Sequence, residues 1–434
     1  MKGLKQLLFG LTTAGCLLMG SPADAQSDPY AIAPRPGHRI SRDFFGMHLH
    51  SLVPQPHALQ QGERPTAWPD GLIGRLRLWD CDVRWADLEP QPEHWQFARM
   101  DRYVQAAYQR GVPVVYPLGS PPAWASARPS EPCPYGHGCA AEPRDLADWD
   151  RYVRTVARRY RGRITAYEVW NEPHPSAQPP ARPGFYSGNW DTLITLARRA
   201  RAVLQQEDPQ AQLWTPAFDG NPDVLDDYLR RGGAALADAV SFHYYGQTDA
   251  HVAPLTARLR AIMTRHGMGT KPLINSESSF GAPELHDGTP LDPTLAVAYT
   301  LRSLVLSAWS GVTASYHHAW DNGYSGMVSR RGEARPLMTP YAQVQGWLVG
   351  TEPLGCSTTR TSAAAPRWVT CHGRQGTQAL WIVWRTDATQ PVPYTLPNDI
   401  TPLKIESTVP DARPSLIGRT VPVGAMPMAL WSSP

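Results

Sequence analysis

Ile164-Thr165-Ala166-Tyr167-Glu168-Val169-Trp170-Asn171-Glu172-Pro173 is a short apolar run that breaks off on an amide, a carboxylic acid and a proline. β-Branched and aromatic residues favour a strand here, and the proline ends it. Downstream, Lys271-Pro272-Leu273-Ile274-Asn275-Ser276-Glu277 has the same form, an apolar run that stops on a glutamate. Taken singly, a glutamate at a strand end is most often a solvated end residue, because charged side chains favour exposed positions. The order of the surrounding elements argues otherwise.

Outward from these two runs, similar stretches recur at Phe44–His50, Leu72–Trp79, Val112–Leu118, Gln212–Phe218, Ala239–Tyr245 and Thr313–Trp320. With Ile164–Asn171 and Pro272–Glu277 they make eight candidate strands. Amphipathic stretches lie between them, at Met100–Arg110, Leu146–Arg161, Asp191–Glu207, Pro222–Arg231, Pro254–His266 and Pro293–Ser310. Strands alternating with helices over about 280 residues predict an α/β fold, a (β/α)8 TIM barrel over residues 41–349.

Functional groups of such barrels sit at the C-terminal strand ends. Here those ends carry His48 and His50; Arg77, Trp79 and Asp80; Pro121-Pro122-Ala123-Trp124; Asn171 and Glu172; His243, Tyr244 and Tyr245; Glu277; and His317, His318 and Trp320. Polar and aromatic groups converging from seven ends are hard to explain as packing. The two-residue period of a strand places Ser241, His243 and Tyr245 on the barrel axis, with Val240, Phe242 and Tyr244 against the helices. It also turns Arg77 and Trp79 inward and Leu76 and Leu78 outward. Glu168, four residues before Glu172, lies roughly 13 Å deeper at the usual strand rise, which suits a buried carboxylate paired with an inward arginine. Two glutamates flanking one sugar bond are the equipment of glycoside hydrolysis.

With 434 residues, 42% of them apolar, the chain can bury a large core, and disorder is excluded. The net charge of +3, spread among mixed charges, gives no sign of nucleic-acid binding. Residues 1–25 read as a signal peptide: Lys2 and Lys5, an apolar centre from Leu7 to Met19, and Ala23-Asp24-Ala25 before the cleavage point. That predicts a periplasmic or secreted protein beginning near Gln26, with no membrane span. A lipoprotein signal ending on Cys16 is the rival, although Thr13 fits it poorly. Export permits disulfides, and nearest-neighbour pairing predicts Cys133–Cys139 and Cys356–Cys371, with Cys81 free. A zinc site of His137 with Cys133 and Cys139 would have too few ligands.

Residues 26–40 form a proline-containing lead. From 350 to 434 the pattern changes to short alternating runs at Arg367–Cys371, Ala379–Trp384, Pro393–Leu396, Leu403–Glu406 and Ala429–Trp431, which predict a small β-sandwich. Within it, the tryptophans of Leu380–Trp384 are expected to pack against the barrel rather than bind sugar.

The motifs Arg77-Leu78-Trp79-Asp80, Val83-Arg84-Trp85-Ala86-Asp87-Leu88-Glu89-Pro90, Pro121-Pro122-Ala123-Trp124-Ala125 and Tyr167-Glu168-Val169-Trp170-Asn171-Glu172-Pro173 resemble clan A retaining glycoside hydrolases. Within the clan they look most like glycoside hydrolase family 39, in its branch of bacterial exopolysaccharide endoglycosidases. The resemblance implies that Glu172 is the general acid/base and Glu277 the nucleophile. It further implies that Asn171 holds the sugar 2-hydroxyl, that Tyr245 or His243 hydrogen-bonds Glu277, and that Arg77 lowers the pKa of Glu277. An apolar wall from Trp124 or Trp170 would keep Glu172 protonated. His50 joins the expected substrate contacts and Trp320 resembles a sugar-stacking platform. The residues around Glu277 do not identify the substrate.

The loop from His174 to Trp190, carrying Phe185 and Tyr186, is expected to shape the leaving-group side. Trp124, Trp190 and Trp320 in a line would make an open groove for a polysaccharide and endo cleavage. An exo-acting β-xylosidase-like enzyme and a catalytically silent carbohydrate-binding barrel are the alternatives. No metal or organic cofactor is expected.

Overall fold

The apolar run before Glu172 is a strand only in its middle, Ala166–Val169, because Trp170 and Glu172 take positive φ where the chain reaches the mouth of a barrel. This is the computed structural model of the protein, which describes residues 28–175, 184–281, 288–359, 367–386, 390–398 and 400–433. The expected signal segment with Cys16 and part of the loop after Glu172, residues 176–183, lie outside the described residues.

Eight parallel strands form the barrel: β1 (Phe45–His48), β2 (Arg75–Arg77), β3 (Val114–Leu118), β4 (Ala166–Val169), β5 (Gln212–Trp214), β6 (Val240–His243), β7 (Leu273–Ser278) and β8 (Ala314–His317). They pair in the order β5-β4-β3-β2-β1-β8-β7-β6. Parallel bridges Trp214↔Ala239 and Phe218↔Phe242 close the ring between β5 and β6. All eight sequence-predicted strands are present, seven of them shortened and β7 shifted by one residue. In β1 the reason is visible: the amides of His50 and Ser51 leave the ladder and donate to the Asp321 carboxylate, each at 2.8 Å.

Helices follow β2 through β8: α1 (Ala98–Tyr108), α2 (Leu146–Arg159), α3 (Trp190–Glu207), α4 (Asp223–Arg230), α5 (Val252–Arg265), α6 (Pro293–Trp309) and α7 (Met338–Leu348). The first six match the amphipathic stretches. Helix α7 was not predicted, since Pro340 and Gly346 interrupt its sequence. Among the described residues, no helix is long and apolar enough to cross a membrane.

Inside the barrel, Val115, Ala166, Trp214, Ala239, Ile274, Ala314 and Tyr316 form an apolar layer. Outward-facing Leu76, Leu78, Val240, Phe242 and Tyr244 join the large core shared with the helices, as the two-residue period requires.

The C-terminal region consists of β9 (Thr351–Thr359), β10 (Trp368–Gln375), β11 (Gln378–Arg385), β12 (Val392–Thr395), β13 (Pro402–Ser407), β14 (Thr420–Val423) and β15 (Met428–Ser432). A five-stranded antiparallel sheet runs β9-β10-β11-β15-β13, and β12 pairs with β14. Trp368, Val383, Tyr394, Val421, Val423 and Leu430 fill the space between the two sheets. On the opposite face Leu380, Ile382 and Trp384 join the barrel core. Helix α6 lies between barrel and sheet and is therefore buried on most sides. It carries a buried Arg302, which pairs with Asp249 at 3.3 Å and donates through Nε to the Ala425 carbonyl at 2.8 Å. Trp309 donates to the His372 carbonyl at 2.8 Å. Trp381 stacks on His372 with ring centroids 4.9 Å apart.

The lead is not a separate segment. Ile32 exchanges both backbone hydrogen bonds with Cys356 of β9, at 2.9 and 3.0 Å, and the Ile40 amide donates to Thr351. The lead thereby covers the edge strand of the C-terminal sheet, an edge that would otherwise expose unpaired backbone groups. Disulfides join Cys133 to Cys139 and Cys356 to Cys371, while Cys81 is a buried free thiol. With both sulfurs of the 133–139 pair in a disulfide, thiolate ligation of zinc there is ruled out.

Candidate active site

Arg77, at the end of β2, lies at the centre of the site. Its guanidinium is fully buried and meets three acceptors from two other strands: Nε to Glu168 at 2.7 Å, Nη1 to Glu277 at 2.9 Å and Nη2 to Asn171 at 2.7 Å. The last bond turns the Asn171 oxygen to Arg77 and leaves its Nδ2 as a donor. Glu168 also accepts from Ser241 Oγ at 2.6 Å, and Ser241 and Ser276 hydroxyls are 2.6 Å apart. The buried carboxylate expected beneath the site is there. It is linked to Glu277 through the one guanidinium.

Period two would put Ser276 and Glu277 on opposite faces of β7. A bulge intervenes: Phe242 pairs with Asn275, but His243 pairs with Glu277. The extra residue lets Ser276 and Glu277 both turn to the axis. On β4 the corresponding distortion is at Trp170 and Glu172, with φ of 80° and 41°. Such left-handed non-glycine residues cost about 1–3 kcal/mol and persist where surrounding bonds over-determine them. Here the Glu172 amide donates to Ala217 and the Trp170 amide to Leu118, each at 2.8 Å. Gly119 makes room, because a Cβ there would come within 2.9 Å of the Trp170 ring.

Glu172 and Glu277 face each other, with one carboxylate oxygen of each, and a ring nitrogen of His243, all within 4.8 Å of one another. His243 Nδ1 contacts Glu172 Oε1 at 2.7 Å, and its Nε2 is 3.9 Å from Glu277 Oε2. Tyr245 donates to Glu277 Oε1 at 2.8 Å. Of the two residues expected to bond Glu277, Tyr245 does so and His243 is given to Glu172.

The two carboxyls are pushed in opposite directions. Burial would raise Glu277, but His243, His318 and Arg77 outweigh it and hold the acid down at about 2. Glu172 is raised above the ordinary glutamate value by burial, partly offset by its bond to His243. His243 is raised despite burial, because both glutamates favour its charged form. The arrangement therefore sets an ionised carboxylate, Glu277, beside a carboxyl of raised pKa, Glu172, the asymmetry that acid/base chemistry across a bond needs.

The tryptophans are placed differently from the sequence expectation. Trp124 packs edge-on against Trp85 and donates to the Glu89 carbonyl at 2.9 Å. Trp170 stacks on Trp149 and donates to Phe185 at 2.6 Å. Trp190 sits against Phe218 and under the guanidinium of Arg231. Trp320 is only 6% exposed, its indole donating to the Ala67 carbonyl at 3.2 Å. The expected line of stacking rings is thus not formed, since these aromatics fill the packing between barrel and loops.

What lines the site instead is a set of strand-end residues already expected there, joined by Tyr135, which sequence reasoning did not single out. Tyr135, on the hairpin clasped by Cys133–Cys139, donates to Asp80 and packs on Trp79 and Phe185, centroids 5.7 and 5.9 Å away. The other Asp80 oxygen faces His318 Nε2 at 3.2 Å. The two cysteines bracketing Tyr135 were the available sequence clue. His50 and His318 line a polar cavity of about 770 Å3 with Asp80, Asp82, Asp321 and Arg330.

No family model matches the sequence, and no curated protein matches it. Solved structures match in fold. A glycoside hydrolase family 30 subfamily 8 xylanase from Clostridium acetobutylicum is 15% identical, over 94% of this chain and 100% of the other, with a TM-score of 0.60. A family 30 endoxylanase from Clostridium papyrosolvens is 14% identical over 93% and 98%, TM-score 0.59. A glucosidase from Croceicoccus marinus is 16% identical over 85% and 78%, TM-score 0.58. At these identities the shared property is the fold: a distant structural match to clan A glycoside hydrolases, barrel and appended β-sheets together.

Proposed function

We propose that the protein is a retaining O-glycoside hydrolase acting on a polysaccharide. The carrying observation is the approach of Glu172 and Glu277, with facing oxygens within 4.8 Å. Retaining enzymes hold their carboxyls at about 5–5.5 Å, whereas inverting ones leave about 6.5–9.5 Å for a water. Glu277, ionised and braced by Arg77 and Tyr245, attacks the anomeric carbon and forms a glycosyl ester. Glu172 gives its proton to the departing oxygen. It then takes a proton from water, which hydrolyses the ester and restores both groups. Asn171 Nδ2 donates to the 2-hydroxyl of the sugar, a bond that strengthens in the transition state.

Endo action on an extracellular bacterial polysaccharide, as in family 39, is the finer reading. It is supported by the family 39-like motifs and by the polar cavity lined by His50, His318 and Asp80, which has room for further sugar. The two disulfides support an exported, periplasmic or secreted location. A silent binding barrel is disfavoured by the opposed pKa shifts, which sugar binding alone does not need.

An activated fluoro-sugar glycoside tests the chemistry: it should leave a sugar ester on Glu277, found by peptide mass mapping and missing in Glu277→Gln. Inversion of the anomeric centre in the first-formed product, read by NMR, would overturn the proposal. On the polymer, viscosity should fall early with oligosaccharides of mixed length, whereas steady release of one monosaccharide supports exo action.

A further inference from the structure

Three histidines at the ends of β1 and β8 are not used by the two-carboxylate chemistry. One ring nitrogen from each of His48, His50 and His318 lies within 4.8 Å of the others. Ring centroids of His318 are 5.0 Å from His48 and 4.9 Å from His50.

The hydrogen bonds settle which nitrogens are available. His48 Nε2 is 3.0 Å from the Ser276 carbonyl, which can only accept, so Nε2 carries the proton and Nδ1 the lone pair. That Nδ1 is buried and has no hydrogen-bond partner, and neither has His50 Nε2. His318 turns Nε2 to Asp80 at 3.2 Å, the carboxylate-to-imidazole contact that orients metal-binding histidines from behind. Buried polar atoms without partners are costly unless something enters to satisfy them.

We propose that His48, His50 and His318 bind one divalent transition-metal ion of the Zn2+ or Cu2+ class, at the cavity lined by His50, His318 and Asp80, and that this ion excludes the sugar. Imidazole nitrogens suit those metals. Bonds of about 2.0–2.1 Å bring the rings together by side-chain rotation. The cavity lined by His50 and His318 supplies the entry path. Asp80, Asp321 and Glu277 favour a cation there, and Arg77 opposes it. A second group, Glu172 with His243 and Glu277, has similar spacing. There the His243 Nδ1 is already taken by Glu172, so the three imidazoles are the better ligand set.

Metal binding is measured without reference to catalysis, by calorimetric titration of the full chain with Zn2+ and by the visible spectrum with Co2+. One ion should bind, with intense Co2+ bands of low coordination number and no sulfur charge transfer. His50→Gln and His318→Gln should each weaken Zn2+ by about tenfold or more, as should Asp80→Asn through His318. Glu172→Gln should leave Zn2+ affinity unchanged. Absence of binding in a wild-type protein that melts cooperatively overturns the proposal. So does loss of binding in Glu172→Gln but not in His50→Gln. The exclusion of sugar rests on the proposed glycosidase reading: Zn2+ should raise KM and spare kcat. Zn2+ bound through these histidines with KM unaltered would overturn that half alone.

Discussion

Glu168 and Glu277 share one guanidinium: Arg77 holds the first through Nε at 2.7 Å and the second through Nη1 at 2.9 Å. The buried carboxylate and the exposed-side carboxylate are therefore coupled through a group that cannot lose its charge. Removing one partner of a buried ion pair costs about 3–5 kcal/mol. Arg77→Met should lose at least that much stability and most activity. Glu168→Gln, which leaves Glu277 to balance Arg77, should lower the denaturation midpoint while keeping measurable turnover. An inactive Glu168→Gln with unchanged unfolding would refute this division of roles.

The pH profile of kcat/KM should be bell-shaped. Its acid limb follows ionisation of Glu277 at about 2, and its alkaline limb follows Glu172, whose pKa is raised. The positive charge of His243 lowers both carboxyls. His243→Gln removes that charge, so both limbs should move to higher pH. An unmoved alkaline limb would separate His243 from Glu172. Since the folded pKa of Glu277 is depressed, its contribution to stability is complete above about 4.3, the unfolded value. It is lost as pH falls toward about 2. Acid melting curves of Glu277→Gln should lack this component.

Tyr245 bonds Glu277 at 2.8 Å. A hydrogen bond to a charged group contributes about 1.5–3 kcal/mol. Tyr245→Phe should therefore reduce kcat/KM by roughly tenfold to a hundredfold on the polysaccharide, with little change in melting temperature. Equal activity of the two proteins would remove Tyr245 from the site.

Trp320→Ala should act on the fold. With 6% exposure and an indole hydrogen bond to Ala67, truncation leaves a cavity and should cost about 3–5 kcal/mol in chemical denaturation. A stable Trp320→Ala protein that loses only substrate affinity would restore the stacking-platform reading.

Replacing Cys133 and Cys139 by serine should free the hairpin that brings Tyr135 to Asp80. A disulfide closing so short a loop contributes about 2 kcal/mol at most in the chain-entropy account. The expected signature is a raised KM, reproduced in part by Tyr135→Phe. Unaltered kinetics in both variants would make the hairpin a structural clasp only.

The barrel was legible in the sequence because eight apolar runs alternate with helical ones, and because both glutamates end such runs. Helix α7, β9 and β14 were not, since each contains proline and two also glycine, residues that locally signal turns. Period two placed Arg77, Ser241 and His243 correctly but could not foresee the bulge that turns Ser276 and Glu277 the same way. Tyr135, Asp80 and His318 meet only through the packing of loops distant in sequence. The tryptophans were misjudged for a related reason: composition counts rings, and only the packed structure tells a buried one from a platform.

The hydrogen bonds between Ile32 and Cys356 have a bearing on how the molecule is made. A segment near the beginning of the described chain finds its partner only after the whole barrel has been synthesised. On a ribosome, the lead must wait while every barrel strand emerges. The edge of β9 then closes as a late folding step, dominated by contact between segments far apart in sequence, the kind that slows folding. Until then β9 offers open backbone groups to any passing chain, so newly made molecules are most exposed to mispairing in the interval before the two segments meet.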